Sequence, residues 1–198
     1  EYPDVDVVLN LGSSSTLREQ ILAGAPADVY ASANTSNMDQ VDQAGLANDP
    51  TVFVHNVLQI AVPLGNPAGV TGLEDFADED LLIGLCAEGV PCGDFARAAL
   101  DKAGIIPAVD TDEPDVRALL TKVEFGELDA GITYVTDVAS SGGKVDGIDI
   151  PDEFNIIAEY PITVLTSAPN PAAAARFVEF VLSGAGKEIL AGFGFRLP

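Results

Sequence analysis

The chain reads as an α/β protein, and three observations predict it. Runs rich in Val, Ile and Leu alternate with segments of helical periodicity. A length of 198 residues with 47% hydrophobic content is enough to bury a sizeable core, as one large domain or two small lobes. No repeat, low-complexity tract or flexible linker interrupts the alternation, so two lobes would have to share strands.

Strands are expected at residues 5–11, 28–31, 57–63, 81–85, 130–134 and 156–165, and helices at 16–23, 36–44, 94–103, 114–125, 171–182 and 184–191. The helix from Pro171 is the best marked. Its apolar residues Ala175, Phe177, Val178, Val181 and Leu182 fall close to helical spacing, and Asn170-Pro171 supplies a cap followed by proline in the first turn. The strands at 57–63 and 159–165 carry Pro63 and Pro161 and are the natural crossovers between lobes.

Charge excludes one class of partner. With 31 acidic and 9 basic residues the formal net charge is -22, and the arginines stand one by one, so there is no basic patch for nucleic-acid phosphates. Acidic groups such as Glu74-Asp75 and Asp78-Glu79-Asp80 read as a solvated surface that keeps the chain dispersed. No run approaches the roughly 18 apolar residues of a membrane span. Cys86 and Cys92 lie close enough in "CAEGVPC" for a disulfide in an oxidising compartment. Two buried thiols are the alternative, and a cation site is poorly served without a second Cys pair or a nearby His.

The stretch "GSSSTL" (12–17) follows the strand-like run 5–11 and opens a helix, placing hydroxyls and unpaired N–H groups at a helix start, where anions bind. The bland reading is that one serine caps the helix and the rest fill a turn. The pattern recurs at "GVPCGD", where the N–H groups around Cys92 and Gly93 are expected to be free. A third helix start lies at Pro114-Asp115-Val116, and "GITYV" brings the phenol of Tyr134. Donors alone suit a fully deprotonated oxyanion, which only accepts hydrogen bonds. A nucleophilic Ser13, Ser14 or Ser15 fits less well: the pattern is not G-x-S-x-G, and His55, the one histidine, sits in or beside a strand.

With these residues in view, the chain resembles the extracytoplasmic molybdate-binding proteins of ABC transporters. The matching words are "GSSSTLREQILAGAPADVYASAN", "VPCGDFARAAL", "DVRALLTKVEFGELDAGITYVTDV" and "EYPITVL", spread in family order over nearly the whole chain. The resemblance implies a two-lobed periplasmic-binding-protein fold, each lobe a mixed sheet flanked by helices, joined by two crossing strands. The expected division is 1–61 with 163–198 for the first lobe and 62–162 for the second. By motif, Ser14 would donate through hydroxyl and backbone, Cys92 and Val116 through backbone N–H, and Tyr134 through its hydroxyl. Ser13, Ser15 and Gly93 would stand behind them. The ligand would be molybdate or tungstate, with no cofactor and no protein-bound cation. The partner would be an ABC permease, the location extracytoplasmic, and any membrane attachment through an anchor or that permease.

The family pattern also has a βα unit of about 30 residues ahead of "EYPDVDVVLNLG". Relative to it, the first lobe is expected to show a free sheet edge and apolar surface, open to self-association. A chain lacking the unit is expected to bind weakly or not at all unless another strand completes the lobe. Competing readings are a receptor for another oxyanion such as sulfate, and a serine hydrolase. Iron binding is disfavoured by the spread of Tyr30, Tyr134 and Tyr160, and an effector-sensing regulator by the want of a DNA-binding helix-turn-helix. Glu88 and Asp94 are expected to point outward, Gly192 to Phe195 to form a packed tail, and Asp28 and Asp137 to orient loops.

Overall fold

Strand β2 (Ala47–Pro63) organises the molecule, because one extended run of 17 residues serves two sets of neighbours. In the computed structural model, which describes residues 5–198, its first part runs antiparallel to β7 (Ile157–Leu165), from Ala47 opposite Leu165 to Val57 opposite Ile157. Its second part pairs instead with β5 (Ala130–Tyr134) and β6 (Val145–Asp149). β1 (Val29–Ala31) joins the first set through β7. β3 (Ile83–Cys86) lies parallel to β5, and β4 (Thr111–Glu113) parallel to β3.

Helices cover both halves. α1 (Ser14–Leu22), α2 (Thr35–Gln43), α6 (Pro171–Leu182) and α7 (Gly184–Gly192) serve the β1-β7-β2 side. α3 (Pro91–Ala103), α4 (Val116–Glu124) and α5 (Val135–Ser140) serve the other. The larger core belongs to the second half, where Leu58, Ile60, Phe76, Ile83, Leu85, Leu100, Leu119 and Ile132 are sealed from solvent. Every residue of β3 and β5 is buried, the mark of strands covered on both faces. The first half has two smaller cores, one on Ile21, Tyr30, Met38, Val41 and Leu165, the other on Phe53, Val54 and Ile162 beneath α6 and α7.

Local chemistry explains where the helices start and stop. Pro91 and Pro171 occupy first turns, where a missing N–H costs nothing. α3 ends at Gly104, whose φ of 73° lies in the left-handed region that glycine enters without penalty.

Residues 5–11 are a correction: they form no strand, although the alternating pattern predicts one. A strand needs a hydrogen-bonding partner, and among the described residues none pairs with this segment, so Val8 and Leu11 stand 85% and 84% exposed. β1 ends the strand order and pairs only with β7, which leaves its outer edge free among the described residues. The structure also adds β4, α5, β6 and the first half of β2 to the elements that periodicity indicated.

Candidate functional site

Three helices begin around one cleft of about 800 Å³, and the end of β5 meets them there. Ser14, Cys92, Val116 and Tyr134 all line it, so the topology brings together four residues separated by up to 120 positions.

Each presents a donor. Ser13 caps α1, its Oγ accepting the Thr16 N–H at 3.2 Å. Ser14 follows as the first helical residue, and its Oγ accepts the Ala33 N–H at 2.9 Å. The acceptor side of that hydroxyl is thus engaged and its proton remains available to a ligand. The Ser14 carbonyl is held by Tyr30 Oη at 2.8 Å, fixing the turn from beneath. At α3 the N–H groups of Gly93 and Asp94 both bond Val90 O, at 2.9 and 3.0 Å. The expected free N–H of Gly93 is therefore corrected, while that of Cys92 has no acceptor among the described residues. At α4 the cap Asp115 takes the Ala118 N–H at 2.8 Å and leaves Val116 N–H open.

Tyr134 is the most telling. Its hydroxyl is buried with no hydrogen-bond partner among the described residues. Burial pushes the phenol well above its ordinary pKa, so it stays a neutral donor. A buried hydroxyl left unpaired costs about 1–3 kcal/mol, a cost that an arriving acceptor removes.

The rest of the predicted set lies differently. Ser13 reaches the cleft wall, but Ser15 and Gly93 do not. Gly93 serves by its lack of a side chain, since a Cβ there would collide with the carbonyl oxygens of Cys86 and Ala87. Cys86 and Cys92 are joined by a disulfide that ties the start of α3 to the end of β3. Glu88 is 85% exposed, and Asp94 turns to accept the Gly89 N–H at 2.8 Å. His55 lies in β2, exchanges backbone hydrogen bonds with Arg196 and is absent from the cleft wall. Ser13 Oγ bonds Ser15 Oγ and Thr16 Oγ1, at 3.1 and 2.8 Å, rather than a base.

Other residues on or behind the wall were given no site role by sequence reasoning. Phe195 is no mere packed tail: it lines the cleft, its ring 5.7 Å from that of Tyr160, which lies 6.0 Å from Tyr134. Tyr134 and Tyr160 are thus brought together despite their spacing in sequence. Asn56 of β2 donates to Thr136 Oγ1 at 2.8 Å and to Tyr160 Oη at 3.3 Å, joining both crossing strands to α5. Asp137 lines the cleft and accepts the Tyr134 N–H at 3.0 Å. Only the last had a local signal, as the third residue after a strand-to-helix junction. No group of three or more His, Cys, Asp or Glu among the described residues is placed to hold a metal ion.

A chain crossed by shared strands, with helix starts facing one cleft, is built as a two-lobed solute receptor, and the comparisons with known proteins agree. The chain belongs to the bacterial extracellular solute-binding protein family, whose model matches residues 1–196. Within it, the chain is homologous to the molybdate-binding protein ModA of Mycobacterium tuberculosis, at 38% identity over 197 residues, 99% of this chain and 76% of that protein. The fold is shared with the periplasmic molybdate-binding protein of Azotobacter vinelandii, at TM-score 0.84 and 19% identity over 99% of this chain and 89% of that one. The sulfate-binding protein of Mycobacterium tuberculosis fits equally well at TM-score 0.84, with 17% identity over 98% of this chain and 77% of that one. Fold alone therefore does not choose the anion.

Proposed function

We propose that this protein is a non-enzymatic receptor that captures molybdate or tungstate outside the cytoplasm and delivers it to an ABC permease. The observation that carries the reading is the buried hydroxyl of Tyr134, without a hydrogen-bond partner among the described residues, in a cleft where Ser14, Cys92 and Val116 also offer donors. Such a set matches a tetrahedral dianion, whose oxygens only accept, and helix N-termini supply positive potential without a desolvated cation. The 38% identity to a molybdate-binding protein supports molybdate over sulfate.

Ser14, Cys92, Val116 and Tyr134 are the direct ligands in this reading, with Ser13 supporting Ser14 through the cap. The lobes are proposed to be 1–61 with 163–198, and 62–162; the change of strand partners between Val57 and Leu58 supports a border a few residues earlier on β2. Any membrane attachment is proposed to run through an anchor or the permease; among the described residues no helix is long and apolar enough to cross a membrane. The outer edge of β1, free among the described residues, and the exposed apolar residues Val8, Leu9 and Leu11 support self-association, read by sedimentation.

Calorimetric titration tests the function. Molybdate and tungstate are expected to bind one to one, with sulfate at least about tenfold weaker, because its smaller tetrahedron cannot reach all donors at once. Ser14→Ala is expected to weaken molybdate by about tenfold to a hundredfold, the worth of one hydrogen bond to a charged group. Equal affinity for sulfate would favour the second oxyanion reading, and hydrolysis of a generic ester that Ser14→Ala abolishes would favour the enzyme.

A further inference from the structure

We propose that the anion enters the cleft together with one proton, taken up by Asp137, whose neutral carboxyl then adds an O–H donor to the site. The proposal rests on the oxyanion-receptor reading and deepens it. Of the three acidic side chains on the wall, Glu113, Asp115 and Asp137, the last sits beside Tyr134: it accepts the Tyr134 N–H at the start of α5, which leaves one carboxylate oxygen over, and among the described residues no cation lies within ion-pair distance of it. Lys122 is matched by Glu113 at 2.5 Å, and Asp115 is committed to the Ala118 N–H as the cap of α4. Arg117, from α4, is the cation that acts on Asp137, yet its guanidinium is 65% exposed and lies 3.8 Å from Glu124. A dianion in the cleft would therefore share it with a carboxylate and no surplus positive charge.

The surroundings favour the protonated form. Tyr134 and Tyr160 present neutral phenols to the same cleft from β5 and β7, and Asn56 and Thr136 are uncharged. From β6, Asp146 and Asp149 are turned to Gly65 N–H and to Gln59. Burial already raises the Asp137 carboxyl to about 6 in the empty protein, with the Tyr134 N–H and Arg117 holding it from going higher. A nearby anion pushes it further in the same direction. Asp137 Oδ2 accepts the Tyr134 N–H, so Oδ1 is the atom left to take a proton from solvent. The balance is one dianion and one proton in, with no bond broken elsewhere.

The sign follows from linkage: a carboxyl whose pKa is raised by ligand takes up protons on binding, so affinity falls as pH rises. Molybdate titrations of the whole chain between about pH 6.5 and about pH 8.5, where the anion itself stays a dianion, should show affinity falling by about tenfold. Repeating the titration near pH 7.5 in buffers of different ionisation enthalpy should reveal uptake of about half a proton, rising toward one at lower pH. Asp137→Asn keeps an acceptor for the Tyr134 N–H and should abolish both the uptake and the pH slope. The wild-type buffer series needs no variant and decides the matter even if Asp137→Asn misfolds. Tight binding with no proton uptake would overturn the proposal and leave the receptor reading intact. Uptake that persists in a folded Asp137→Asn protein would overturn the assignment to this residue. No binding of molybdate or sulfate at any pH would overturn the receptor reading and this proposal with it.

Discussion

At Tyr134 the demands of stability and of binding oppose each other. The hydroxyl is sealed in protein without a partner among the described residues, so the protein without ligand is expected to be more stable lacking it, whereas a bound oxyanion needs it. Tyr134→Phe is accordingly expected to raise the melting temperature of the ligand-free protein while weakening molybdate by about tenfold or more. Thermal melts and titration of the same sample check both halves. Ser14 differs, because its hydroxyl already holds Ala33, and its removal should cost stability as well as affinity. This contrast was out of reach of the sequence. The three helix starts were legible as local strand, turn and cap signals, and the family motifs picked out Ser14, Cys92 and Val116 within them, but whether a hydroxyl finds a partner depends on residues far away in the chain.

Among the elements, α3 shows how a ligand-facing helix start is held. The disulfide fixes Cys92 to Cys86, Gly93 packs directly on the Cys86 and Ala87 carbonyls, and Arg97 reaches back to Cys86 O at 2.6 Å. Closing so short a loop contributes about 2 kcal/mol through the unfolded chain, and a stiff loop reduces the ordering needed on binding. Replacing both cysteines by serine is thus expected to lower stability by about that amount and to speed ligand dissociation, measurable by denaturant melts and stopped-flow release. Helices with caps and strands such as β5 were legible because their signals are local. β4 was not, since Thr-Asp-Glu has no apolar pattern and is a strand only because β3 offers an edge. The six residues of α5 were hidden by following β5 without a break. Residues 5–11 failed the other way, with the right alternation and no partner strand among the described residues.

For the whole molecule, an overall charge of -22 and an anionic ligand coexist because the site works at contact range. Surface carboxylates are screened over roughly 8–10 Å in physiological salt, whereas the donors of α1, α3, α4 and Tyr134 act within hydrogen-bond distance. The crossing strands make this possible: β2 and β7 run between the halves, Asn56 of β2 bonds Thr136 of α5, and Tyr160 of β7 packs on Tyr134. The α/β class was legible in the alternation of elements, and the two-lobed plan in the family motifs. The point where β2 changes partners was not, since both sides of it read as one apolar strand. The most direct test of the account is to locate molybdenum by anomalous diffraction in crystals grown with molybdate. The account predicts one peak in the cleft, with oxygens in hydrogen-bond contact with Ser14 Oγ, Cys92 N, Val116 N and Tyr134 Oη. A peak elsewhere, or an anion that leaves the Tyr134 hydroxyl unpartnered, would contradict it.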